Sequence, residues 1–393
     1  MLNIVIFVLV FVNVMALFYF AFRLVTPSLF ILFPMAILCF RANDQTIVFS
    51  VLYLALAWYV LLLDMHFKNS LKTVYVIKEE KPRLGRYLIL ACILLVVLFI
   101  EGLGGVVGGN KTGGASPFFG LYTSIYTILY IFVFVLFIQQ KLNKSQVLVF
   151  VSFIILFGIV TNSRGTIGKG VLMLVLVYLY SARTPLATIK RAFPVVLYTL
   201  IPLLFVVLAT LDRKGISISS DQLVVGFTFF IEQIRDVRGN MVNPGKIQYF
   251  VEFANNSSYR LESFYVFAFL YGLVPFFLWP GKPPVSIGQP IGEMVFGSRI
   301  DAVGGGVPTD LIGQGIMTFG VEYGLLAGIF LSVFILTLIS ITFKQFKLIG
   351  LAAYVSFGSI FGSDFGRMFI DFVTFVPLYL MVHFLLHVRL KFK

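Results

Sequence analysis

Apolar runs close to the length of a membrane crossing recur along this chain, at 1–22, 26–41, 46–63, 87–103, 119–139, 146–160, 169–182, 194–210, 316–342, 348–363 and 369–388. About 20 helical residues cover the ~30 Å of a bilayer's hydrocarbon core. Hydrocarbon offers no water to a backbone N–H or C=O, so only helices and closed barrels cross it. Runs this uniformly apolar lack the alternation of a barrel strand. The expected fold is therefore all-α, a polytopic transmembrane helical bundle of about eleven spans.

Composition excludes the ordinary alternatives. Of 393 residues, 59% are apolar and 12% are charged, whereas a soluble domain carries roughly a quarter charged residues on its wetted surface. The first run, Met1–Phe22, lacks the basic start of a secretory signal and reads as the first span.

Basic residues orient the bundle. The link after the first span, the loops 64–86, 140–145, 183–193 and 343–347, and the tail 389–393 hold 17 of the 30 Lys and Arg, against Asp64, Glu79 and Glu80. That asymmetry assigns these loops to the cytoplasmic side. The N-terminus is then outside, the C-terminus is cytoplasmic, and the net charge of +13 reports topology; no nucleic-acid partner is implied. Three regions follow: N-terminal spans over 1–210, a long external loop over 211–315, and C-terminal spans over 316–393. An apolar stretch in the loop, Phe264 to Trp279, is interrupted by Gly272 and Pro275 and reads as a re-entrant or interfacial helix.

Candidate chemistry gathers on the outer face. Arg164 sits in the turn Asn162-Ser163-Arg164-Gly165, and Arg367 in the short link before the last span. Arg260 and Arg299 lie in the long loop, with Lys282 in Trp279-Pro280-Gly281-Lys282-Pro283-Pro284. A planar, permanently charged guanidinium suits phosphate oxygens. Asp310 and Glu322 flank the start of the run 316–342, with Glu322 about two turns inside it in Gly320-Val321-Glu322-Tyr323-Gly324. A carboxylate at that depth is either a base whose acidity burial adjusts or half of an ion pair locking two helices.

Other signals are discounted. Cys39 and Cys92 form no metal-ligand pattern, so no metal site is expected. Gly104 to Thr112 has the wrong spacing and context for a phosphate-binding loop. His66, His383 and His387 all fall at the cytoplasmic edge, so the outer face has no catalytic histidine.

Taken in order, these landmarks resemble the Wzy-type oligosaccharide repeat-unit polymerases, the family of O-antigen and capsule polymerases. They are Arg23 to Pro27, the Ser163-Arg164-Gly165 turn, Pro275 with Trp279 to Pro283, Gly320 to Gly328, and Arg367. The chain departs from the family in having Pro275-Phe276 where Pro-Arg is common, and Gly272 one position late after Arg260. The resemblance implies a bacterial inner-membrane glycosyltransferase, needing no cofactor, that moves a glycan from undecaprenyl pyrophosphate onto another lipid-linked repeat unit. It implies catalytic roles for Glu322, Arg164, Arg260 and Arg367, and substrate binding by Lys282, Arg299, Asp310 and Tyr323. Its partners would be the lipid-linked oligosaccharides, the bilayer, a chain-length regulator and a flippase. The alternatives are an O-antigen ligase, which the missing outer histidine disfavours, and a lipid-linked-oligosaccharide flippase or other transporter, which the absence of internal repeats disfavours.

Overall fold

The computed structural model describes residues 2–32, 47–74, 84–100, 119–160, 310–357 and 365–387, with isolated positions at 177, 251, 254–255, 270, 274 and 278–279. Among them the regular elements are all helical: α1 (Leu2–Leu24), α2 (Ile47–His66), α3 (Leu84–Ile100), α4 (Phe119–Ile138), α5 (Lys144–Val160), α6 (Leu311–Phe319), α7 (Val321–Gln345), α8 (Lys347–Ser356) and α9 (Phe365–His387). A short 3-10 turn covers Leu71–Thr73. The expected runs at 169–182 and 194–210, the stretch 264–279 apart from four positions, and most of 26–41 lie outside the described residues.

Among the described residues, α7 is the one helix whose length and composition suffice to cross a membrane, with mean hydropathy 2.5 over its best window. Shorter apolar helical stretches occupy Val8–Leu24, Val51–His66, Gly85–Val97, Ser124–Ile138, Lys144–Leu156, Lys347–Ser356 and Asp371–Leu386.

The expected span 316–342 is corrected. The helix breaks at Gly320, whose φ of 82° is open to glycine and costly for a residue with a side chain. The chain doubles back there, and α6 packs along the first half of α7. A Cβ on Gly315 would lie 2.2 Å from the Gly324 carbonyl oxygen, and one on Gly328 would lie 2.6 Å from Ile312 Cα. Three glycines thus let two backbones approach more closely than any larger residue permits. The nine residues of α6 rise only about 13 Å, short of a crossing.

The chain divides into two compact units. One comprises Met1–Thr73 with Val237–Pro377, and the other Val74–Asp236 with Leu378–Lys393. In the first unit, α2 packs on α1 and α7, and α7 packs on α6 and α8. Tyr59 bonds Thr337 at 2.7 Å and Ser340 bonds Asp64 at 2.9 Å, so α2 and α7 run parallel. In the second unit, α3, α4 and α5 pack on one another. The end of α9 joins them, where Tyr379 stacks on Phe132 with ring centroids 4.7 Å apart and Arg86 donates to the Leu386 carbonyl at 3.2 Å.

Bulky apolar side chains face outward as well as inward. On α7, Tyr323, Leu326, Phe330, Phe334 and Leu338 recur every three or four residues along one exposed stripe, with Phe330 72% exposed. Gly324, Gly328, Ser332, Leu336, Ile339 and Ser340 of the same helix are buried. Comparable outward faces carry Val8, Leu9 and Val12 on α1, Ile89, Ile93 and Val96 on α3, and Phe384 and Leu385 on α9.

Candidate functional site

The candidate site is built around α6. Its first N–H groups have no partner within the helix, and Asp310 supplies one: its carboxylate accepts from Gly313 N at 2.6 Å. Asp310 is 3% exposed, and its other oxygen accepts the Tyr53 hydroxyl of α2. The sequence assigns Asp310 to substrate binding; the structure gives it a cap and an interhelical bond, with the carboxylate directed into the protein.

One turn further on, Gln314 is buried, and its Oε1 accepts the backbone N–H of Phe365 at 3.0 Å. Phe365 opens α9, and Arg367 stands two residues later in the first turn of that helix. Gln314 therefore fixes the start of the segment that carries Arg367. Sequence reasoning missed Gln314 because one polar residue in an apolar run reads as a tolerated interior amide. The available signal was its place one turn beyond a capping Asp.

Beyond Gly320 the polypeptide turns into α7, and Glu322 falls in its first turn. This corrects the expectation of a carboxylate two turns inside a span. Glu322 is exposed, because the helix begins at 321 and not at 316. An acidic residue there faces the positive end of the helix dipole. Tyr323 beside it is 75% exposed. From Gln314 to Phe319 the rise is only about 8 Å, so the Glu322 turn and the start of α9 are both tied to one short helix. Arg164, Arg260, Lys282 and Arg299 lie outside the described residues.

A second polar cluster sits at the other end of α2. Sequence analysis places Asp64 in a cytoplasmic loop, but it belongs to the last turn and a half of α2 and is fully buried. Its carboxylate accepts from Ser28 N at 3.0 Å, Asn69 Nδ2 at 3.0 Å, Ser340 Oγ at 2.9 Å and the Tyr354 hydroxyl. Those donors come from the chain after α1, the chain after α2, α7 and α8. Close by, Lys344 Nζ lies 5.0 Å from the centre of the Phe67 ring. Partial burial draws the Lys347 ammonium below the ordinary lysine value, and the Asp64 carboxylate draws it back up.

Among the described residues no group of His, Cys, Asp and Glu is arranged to hold a metal ion. Comparison with known proteins finds no match for this chain among family models, curated proteins or solved structures.

Proposed function

We propose that this chain is a polytopic membrane protein of the bacterial inner membrane, with about eleven spans and an external N-terminus. We further propose that it polymerises undecaprenyl-pyrophosphate-linked oligosaccharides into a surface glycan. The observation that carries the membrane reading is the outward apolar face found within each unit, on α1 and α7 of the first and on α3 and the end of α9 of the second. Soluble monomers rarely expose apolar patches beyond a few hundred Å², and lipid removes that cost. α7, at 25 residues, is long and apolar enough to cross the ~30 Å core.

The polymerase reading rests on the ordered landmarks of the sequence and on the turn at Gly320. That turn presents an exposed carboxylate, Glu322, beside a helix that also holds the N-terminus of α9, two residues before Arg367. In the proposed reaction an acceptor sugar hydroxyl attacks the anomeric carbon of the donor glycan. The bond from that carbon to the pyrophosphate oxygen breaks, and the lipid pyrophosphate leaves with the electron pair. Glu322 takes the hydroxyl proton, a contribution of about 100- to 10,000-fold. Arg367, Arg164 and Arg260 stabilise the departing charge, each well-placed donor supplying about 3–4 kcal/mol. Lys282, Arg299 and Tyr323 hold substrate. Asp310 holds α6 in place, and substrate meets the surface that α6 supports.

Deletion of the gene separates the classes. Loss of a polymerase leaves single repeat units on the surface acceptor, visible as one short band on a gel of surface glycans. Loss of a ligase or flippase leaves no surface glycan at all, and that result overturns the proposal.

A further inference from the structure

The second unit is cationic without compensation in its described helices. Residues 84–100, 119–160 and 378–387 contain Arg86, Lys141 and Lys144 and no Asp or Glu. Arg86 opens α3, Lys141 follows α4, and Lys144 begins α5. The link before α3 adds Lys78, Lys81 and Arg83 against Glu79 and Glu80, and with the link between α4 and α5 it belongs to the net-basic side of the chain. Along α3, Ile89, Ile93 and Val96 follow Arg86 at helical spacing on one exposed face, with Ile89 60% and Ile93 52% exposed. That face is concave: a groove of about 370 Å³ is lined by Leu88, Ile89, Cys92, Ile93, Val96 and Val97. Arg86 stands about one turn before the first lining residues, and its guanidinium donates to the Leu386 carbonyl.

We propose that this groove binds one anionic glycerophospholipid of the cytoplasmic leaflet, with its phosphate at Arg86 and an acyl chain along Ile89, Ile93 and Val96. The proposal rests on the membrane reading given above. Two properties select this occupant over generic lipid contact. The chain flanking the basic end is net positive, with Lys78, Lys81, Arg83, Arg86, Lys141 and Lys144 against Glu79 and Glu80, which favours an anionic headgroup near a juxtamembrane basic cluster. The length also fits, because Arg86 to Val97 rises about 16 Å, close to half of the ~30 Å core and therefore to one leaflet. Arginine adds a rigid fork of donors matched to phosphate oxygens.

The test uses the purified full-length protein in mild detergent, titrated with phosphatidylglycerol or phosphatidylcholine of identical acyl chains and read by native mass spectrometry. Phosphatidylglycerol is retained preferentially. Arg86→Gln weakens its retention about fivefold and leaves phosphatidylcholine unchanged, whereas Arg86→Lys keeps most of the preference. Ile93→Trp, a change at an exposed position, fills the groove and lowers retention of both lipids. A second readout avoids mass spectrometry: in a Cys39→Ser background, phosphatidylglycerol slows alkylation of Cys92. Equal retention of the two lipids by the parent protein, or retention indifferent to both Arg86→Gln and Ile93→Trp, overturns the site. Extraction of the chain from membranes by alkaline carbonate instead overturns the membrane reading beneath it.

Discussion

Two buried carboxylates, one on α2 and one bonded to it, are put to different uses. Asp64 collects donors from Ser28, Asn69, Ser340 and Tyr354 and binds four stretches of chain into one knot at the basic end. Asp310 accepts from Gly313 N and the Tyr53 hydroxyl, about 16 Å back along α2. The knot lies at the far end of α7 from Glu322, whereas Asp310 caps the short helix α6, whose other end is the turn that bears Glu322. At one end a carboxylate ties four stretches of chain together, and at the other a carboxylate fixes the start of one short helix.

The largest effect is expected at the knot. Asp64→Ala strands several buried donors at once and costs about 3–5 kcal/mol, since leaving buried polar groups unpaired costs more than the bonds contribute. Thermal unfolding of the purified protein in detergent should show a large fall, and a midpoint near the parent value would remove the knot from the account. Asp310→Ala removes a cap and the bond from the Tyr53 hydroxyl. Its expected cost is about 2 kcal/mol, with glycan chains shortened at protein levels that the Asp64 variant does not reach. A fall as deep as that of Asp64→Ala would erase the contrast between the two ends.

Gln314→Ala sharpens the contrast further. It deletes one hydrogen bond, worth about 1 kcal/mol in stability, yet it frees the start of α9 two residues before Arg367. Polymerisation should therefore drop far more than stability does, and Gln314→Glu, which keeps an acceptor oxygen, should restore much of the chain length. The smallest effect is a gain. Val25, Lys68 and Gln140 follow helices with positive φ, and the next residue donates back five positions, as Asn69 N does to Asp64 O at 2.8 Å. That left-handed closure favours glycine. Lys68→Gly, at an exposed position, should raise stability by about 0.5–1 kcal/mol, measurable as a small upward shift in the same melt.

The sequence shows some of this architecture clearly and hides the rest for physical reasons. Hydropathy locates α4 and α5 to within two residues, because a span ends where its charges begin, at Lys141 and Lys144. It misplaces the break at Gly320, since Leu311 to Phe319 and Val321 onward are apolar on both sides of the turn. What marks that turn is the glycine set 315, 320, 324 and 328, whose meaning appears only when two backbones meet. Asp64 looks like a loop charge because it follows the apolar run by one residue, and its burial depends on Ser340 and Tyr354, far away in sequence. Glu322 is legible as a singular carboxylate, but its exposure depends on where its helix begins.

The central claim is that the carboxylate presented beyond Gly320 takes a proton during chain growth. Its most direct measurement is the glycan ladder of source cells whose own gene carries Glu322→Gln, with membrane levels of the protein matched to the parent. The expected result is a collapse to single repeat units, with Glu322→Asp retaining a shortened ladder. A full-length ladder in Glu322→Gln cells would contradict it.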